Sequence, residues 1–362
     1  MFNYPPMNKE LSTYLDLLRV GAAATVFTGH LSWMAISGGF LWQLQPYGHS
    51  AVMIFFVLSG FVIQYAADVK QRTLYDYSAA RLARLYSVVL PAILFTVACD
   101  AIGTGHTPAL YDMTREPDIS WRVLMAGLFL SQSWGHISLL SNDAYWSLPY
   151  EFWYYVLFAA ATFLKGWQRI AALAVSGAIA GPAILFMAPI WAAGAAAYRF
   201  AGRVALRKSV ARALWIASGA AALAVILENS TPVTSMSPYL PPVYSGLDFL
   251  LGALVAVNIF SASFLSFGIS RFHGLTAKLA GMTFALYLLH LPLLHLIAAY
   301  MPAGLSVPVR GAIAAGLTLT IVYFLSFVTE GQKHHWRSLM RWLLRPFGAP
   351  DSAAIEQGSR QI

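Results

Sequence analysis

Two titratable side chains, Arg19 and His30, stand inside an apolar run that extends to about residue 40. Such groups are costly within a bilayer, and where they occur they mark a pathway or a reaction site. Eleven helical steps of about 100° return to within roughly 20° of the starting direction, so the two share one face. His30 then lies about 16 Å further along that face than Arg19. An imidazole, with an ordinary pKa near about 6.5, can take a proton from a hydroxyl. A guanidinium can orient an anionic group or stabilise developing negative charge. Asp16, three residues before Arg19, is placed to pair with it at the membrane surface. The competing reading has Arg19 reaching to the headgroups and His30 bonding a neighbouring helix.

Four further stretches carry chemistry-bearing residues. Phe55-Phe56-Val57-Leu58-Ser59-Gly60-Phe61 permits close helix approach and supplies one hydroxyl, Ser59; taken alone it reads as a packing segment. Arg81 and Arg84, three apart, project on one side of a helix entrance and can clamp a phosphate or carboxylate, or serve only as positive anchors of orientation. Glu151 lies among aromatics in Tyr145-Trp146-Ser147-Leu148-Pro149-Tyr150-Glu151-Phe152-Trp153. Counted from that helix start, it sits roughly 9 Å below the outer membrane boundary. His290, in Leu286-Tyr287-Leu288-Leu289-His290-Leu291-Pro292, falls near the bilayer middle, and Pro292 frees the carbonyl of Leu288. His295 lies about 140° around the helix from His290, so the two share no ligand face. Neither an HExxH pattern nor a Cys/His cluster is present, and a metal is not expected.

The elements that position these residues follow from composition. The chain has 362 residues, 58% hydrophobic and 10% charged, with a mean hydropathy of +0.62. Soluble domains carry about 25% charged residues, so a polytopic membrane protein is expected. Apolar runs of spanning length occur near 13–36, 50–67, 85–104, 144–164, 169–182, 183–201, 211–228, 244–262, 279–300 and 308–328. Gly181-Pro182 reads as a turn between two helices or a kink in one. With separate fifth and sixth helices and a cytoplasmic N-terminus, nineteen of the 23 lysines and arginines fall inside. The expected fold is therefore an all-α polytopic transmembrane bundle of about ten helices, both termini cytoplasmic. The transmembrane domain covers 1–335, and 336–362 reads as a cytoplasmic tail, basic at first and disordered after Arg345. The loop 105–143 is expected outside, either covering the outer mouth of the bundle or simply connecting helices. The net charge of +8 reports membrane orientation, with no need for nucleic acid. Cys99 is the only cysteine, which leaves no disulfide within the chain, and no cleavable signal peptide is evident.

Arg-x10-His, Phe-Phe-Val-Leu-Ser-Gly-Phe, Arg-x-x-Arg, Trp-Ser-Leu-x-x-Glu and Tyr-Leu-x-His-x-Pro occur in this order. Together they resemble the acyltransferase-3 family of integral membrane O-acyltransferases, over about residues 10 to 330. Phe129-Leu130-Ser131-Gln132-Ser133-Trp134 resembles a further family stretch. Two departures stand out: the proline that usually follows the arginine pair closely is delayed to Pro91, and Glu330-Gly331-Gln332 lacks the family's proline, which leaves the role of Glu330 open. The resemblance implies a stand-alone enzyme of the bacterial inner membrane. It would move an acyl group, most often acetyl, from cytoplasmic acyl-CoA to a hydroxyl of a cell-surface glycan or glycolipid. Carried over, His30, Arg19, Glu151 and His290 are the catalytic residues, and Arg81, Arg84 and Ser59 bind the donor; His30 acts as general base or forms an acyl-His intermediate. Partners are then acyl-CoA, the acceptor and the lipid bilayer, with an oligomer compatible. A transporter of a lipid-linked sugar or proton-coupled solute is the competitor from another class, although the repeat symmetry it would favour is not found. The topology is testable in a Cys99→Ala background with a membrane-impermeant thiol reagent. A cysteine replacing Gly105 should label from outside, and one replacing Arg207 should not; the reverse pattern would invert the orientation.

Overall fold

The computed structural model describes residues 7–114, 118–229 and 246–347. The described residues form fourteen α-helices joined by short 3-10 turns: α1 Lys9–Leu31, α2 Met34–Ser37, α3 Gly48–Val69, α4 Leu74–His106, α5 Ile119–Gly127, α6 Ser147–Phe163, α7 Gly166–Ala180, α8 Pro182–Ala201, α9 Lys208–Glu228, α10 Gly246–Ala262, α11 His273–Ala280, α12 Thr283–Ala299, α13 Val307–Val328 and α14 Lys333–Leu344. Arg115, Glu116, the first two residues of the expected span 244–262 and the tail 348–362 lie outside the described residues.

Every expected apolar segment contains a helix, and by length and composition fewer than ten of these helices qualify as spans on their own. Among the described residues five helical segments are long and apolar enough to cross a membrane: Trp42–Val69, Leu74–His106, Pro182–Ala201, Lys208–Glu228 and Val307–Leu344. A sixth is reached if Ser270–Ala280 and Thr283–Ala299, bent by 40° at a short break, are taken as one span. The difference has a physical origin. α1 is long enough at 23 residues but is made less apolar by Asp16, Arg19 and His30, whereas sequence counting extends the other apolar runs into their flanks: α6, α7, α10 and α12 have only 17, 15, 17 and 17 residues. At 1.5 Å per residue these reach about 22 to 26 Å, short of a hydrocarbon layer of about 30 Å.

Local chemistry sets the helix boundaries. The Asn8 side chain accepts from Leu11 N at 2.8 Å and Thr73 Oγ1 from Asp76 N at 3.1 Å, capping α1 and α4. α4 therefore begins eleven residues ahead of the expected 85, and Arg81 and Arg84 lie within it rather than at its mouth. Gly181 separates α7 from α8 with φ +83°, and a Cβ there would overlap the carbonyl of Ser133. At the α3–α8 contact, Gly60 faces the Trp191 carbonyl and Gly194 the Val57 carbonyl, each too close to admit a Cβ. This small-residue packing is the close approach expected of Ser59-Gly60.

Two segments depart from their expected roles. Residues 336–344, assigned to the tail, belong to α14, whose Met340 packs with Ala79 and Ala83 of α4 while Trp336 and Leu344 flank the contact. Arg341 also pairs with Asp76 at 2.6 Å. The stretch before α6, in turn, is part of the interior. Asn142 is fully buried, and its amide donates to Thr96 Oγ1 of α4 at 3.1 Å and to the Leu288 carbonyl of α12 at 2.8 Å. That carbonyl is the one Pro292 deprives of its helical donor. Ser141 donates through N, at 2.9 Å, and through Oγ to Asp100. α6 therefore starts from a segment packed against α4 and α12. Asn142→Leu removes both amide bonds and leaves a buried carbonyl unsatisfied, which costs about 1–3 kcal/mol. Thermal unfolding of the detergent-solubilised variant should show a clearly lowered midpoint; an unchanged midpoint would detach this segment from the stability of the fold.

Candidate active site

A cavity is lined by residues of α1, α3, α4, α6 and α12, among them Arg19, Ser59, Arg84, Glu151, Phe284 and Tyr287. Four residues singled out in sequence thus converge. Glu151 accepts from the Tyr155 hydroxyl, one helical turn on, and from Ser59 Oγ at 3.3 Å. Ser59 in turn accepts from Trp191 Nε1 at 3.2 Å. This chain of donors from α6, α3 and α8 fixes the carboxylate. Arg19 makes a long ion pair with Asp16, 3.8 Å, and the Arg84 guanidinium lies 6.0 Å over the Phe284 ring. Among the described residues no ion pair joins either arginine to Glu151. Their N–H donors therefore remain suited to a ligand with negative charge.

Arg84 also lines a second cavity with Arg81, Gln71, Glu330, Lys333 and Arg337. Arg81 is only 9% exposed. Its Nη2 donates to Gln71 Oε1 at 3.1 Å, its guanidinium lies 5.8 Å over the Tyr155 ring, and its Nε has no partner. Glu330 accepts from Ala285 N at 3.2 Å near the start of α12. One arginine therefore borders both cavities, and its neighbour Arg81 lines the second.

The two histidines meet further along α1. His290 is fully buried, and its Nδ1 lies 2.8 Å from the Leu286 carbonyl, which can only accept. Nδ1 therefore carries the proton, and Nε2 of the neutral ring is an acceptor. His30 Nδ1 lies 2.7 Å from His290 Nε2 and must donate to it. The remaining nitrogen, His30 Nε2, is then a free lone pair. A carbonyl on α12 thus sets the tautomer of a histidine on α1 through a second imidazole. Trp33 packs edge-on to both His30 and His295, at 5.0 and 6.1 Å between centroids. His295 is buried with neither ring nitrogen bonded. His30 and His290 do not line the cavity that holds Arg19 and Glu151. Tyr287 stands between, lining that cavity with its ring 6.4 Å from His290 and 6.0 Å from Phe55.

An acyltransferase-domain family model matches residues 12–327, most of the chain. The chain belongs to the acyltransferase-3 family. It is a membrane acyltransferase, which implies an acyl donor and an acceptor substrate, and its apolar helices fit a lipid bilayer. No curated protein and no solved structure matches it. Among the described residues, no group of three or more His, Cys, Asp or Glu side chains could hold a metal ion.

The fold of this acyltransferase draws the expected residues into two layers, Arg19, Ser59, Arg84 and Glu151 in one and His30 with His290 in the other. It does not put His30 and Arg19 in one cavity despite their common helix face. Arg81 lies in the second, more basic cavity. Sequence reasoning missed Tyr155, although its i+4 spacing from Glu151 is a readable signal. It also missed Tyr287 and the Asn142 donor, whose partners lie 140 and 146 residues away. The tautomer can be read by 15N NMR of histidine-labelled protein, with His30→Ala assigning the signal. His30 should appear as the neutral Nδ1–H form; a signal of the Nε2–H form would break the derived chain of bonds.

Proposed function

We propose that this protein is an O-acyltransferase that moves an acyl group, most simply acetyl, from cytoplasmic acyl-CoA to a hydroxyl of a cell-surface or exported glycan or glycolipid. The free lone pair on His30 Nε2 carries this reading. A base is needed at the acceptor hydroxyl, and the bond to His290 orients His30 for that task. His30 Nε2 takes the hydroxyl proton, and the oxygen attacks the thioester carbonyl. The new C–O bond forms as the C–S bond breaks, and the proton passes from His30 to the departing thiolate. His290 accepts the His30 Nδ1–H bond throughout and, with its own Nδ1–H held by Leu286, steadies the imidazolium.

Arg19 and Arg84 supply positive charge along the donor's route, and Arg81 stands in the outer, more basic cavity for the donor's phosphates. Ser59 and Glu151, tied to each other, shape the wall between the donor route and the bundle core. The bacterial inner membrane is the matching location. With ten crossings, the distribution of lysines and arginines favours both termini and the Arg81 cavity on the cytoplasmic side, with 1–335 as the enzyme domain. His30→Ala should insert and fold normally yet transfer about 10²–10⁴-fold more slowly, the usual cost of losing a general base. Mass spectrometry of surface glycan from cells carrying wild type or variant reads the acyl mass directly. Equal acylation in both would assign His30 a structural role.

A further inference from the structure

The basic cavity has a wall that lies beyond the family match. α14 begins six residues after the matched region ends and carries Lys333, Arg337, Arg341 and Arg345 at intervals of four within and just beyond it. Its side chains divide by direction. Trp336, Met340 and Leu344 pack toward α4, whereas Leu339, Trp342 and Leu343 are exposed. Arg341 is committed to Asp76, 2.6 Å away. Lys333, His334 and Arg337 instead line the cavity opposite Arg81 and Arg84.

This arrangement is poorly compensated as it stands. Lys333 and Arg337 are like charges at i,i+4, and Arg81 and Arg84 are like charges at i,i+3, each a mildly destabilising pair. Four cations from two helices thus share a cavity with one carboxylate, Glu330, whose Oε2 accepts from Ala285 N. Two guanidinium nitrogens are buried there without a partner, Arg81 Nε and Arg337 Nε, one from each helix. A buried charged donor without a partner costs more than a neutral one, so the arrangement is completed by an anion with several oxygens.

We infer that Lys333 and Arg337 of α14 bind the nucleotide phosphates of the acyl donor, closing against them from the side opposite Arg81. The inference rests on acyl-CoA as donor. α14 is thereby a specificity element: it distinguishes a phosphorylated carrier from a bare pantetheine thioester. An anionic lipid headgroup offers the same phosphate chemistry, and the exposed Leu339, Trp342 and Leu343 would set α14 at an interface. The cavity's position against Arg84, which also borders the Glu151 cavity, favours the donor.

The test uses full-length protein in phosphatidylcholine nanodiscs and begins with CoA binding by calorimetry, independent of turnover. Lys333→Gln with Arg337→Gln should weaken CoA about 10–100-fold, the loss of one or two charged hydrogen bonds. Lys333→Arg with Arg337→Lys should stay within a few-fold, and neither double should unfold below the wild-type temperature. In turnover, the Gln double should raise KM for acetyl-CoA by a similar factor with little change in kcat. KM for acetyl-pantetheine, which has no nucleotide phosphates, should not move. Equal effects on the two donors, unchanged CoA affinity, or a lowered unfolding temperature in the Gln double would overturn the inference. So would CoA binding indifferent to the Gln double in phosphatidylcholine but altered by it only in phosphatidylglycerol nanodiscs, which would assign the site to a headgroup. Tight, α14-dependent CoA binding without any acyl transfer would instead leave the inference standing and remove the proposed function.

Discussion

A proline inside a membrane helix leaves a carbonyl that lipid cannot satisfy, and the placement of the site follows from how this chain answers that constraint. Pro292 strips the Leu288 carbonyl of its donor, and Asn142 supplies another from a segment far away in sequence. To reach that carbonyl, the chain before α6 must enter the bundle between α4 and α12, where Asp100 and Thr96 hold it as well. α6 then starts from the interior, and Glu151, on its second turn, arrives beside Ser59 and Arg84. These buried hydrogen bonds together set the start of α6, and with it the carboxylate, relative to the arginines.

The same helix carries the histidine relay. Leu286, His290 and Leu288 lie within a single turn or so of α12; one carbonyl orients His290 and the other anchors the Asn142 segment. His30 reads its tautomer from that helix across a single hydrogen bond. Any displacement of α12 along its axis would alter both the base and the wall of the neighbouring cavity. That coupling explains why a membrane enzyme would concentrate several buried polar contacts on so apolar a helix, since each unsatisfied one would be costly.

Charge is graded along the proposed donor route. The outer basic cavity gathers Arg81, Arg84, Lys333 and Arg337 around one carboxylate, the next holds Arg19 and Arg84 with Glu151, and the histidine layer contains only imidazoles. Highly charged phosphates are best bound where water and guanidinium groups can solvate them. A neutral thioester is the part of such a donor that can advance into an apolar interior.

Residue types and short spacings determined much of this by themselves. Arg19 and His30 on one face, the paired arginines, the carbonyl freed by Pro292 and the membrane class all follow from helix periodicity and hydropathy, which act within a few turns of chain. The family, too, was legible in the order of five short motifs. Tertiary structure alone decided that His30 meets His290, 260 residues away, and that Glu151 shares a cavity with Arg84. It alone docked the basic end of the chain, as a helix, on α4. The reason is common to all of these. Hydropathy records how much of a helix avoids water, but not whether lipid or other helices supply the apolar surroundings. Partners for buried polar atoms are chosen across the bundle, by distances that sequence separation does not encode.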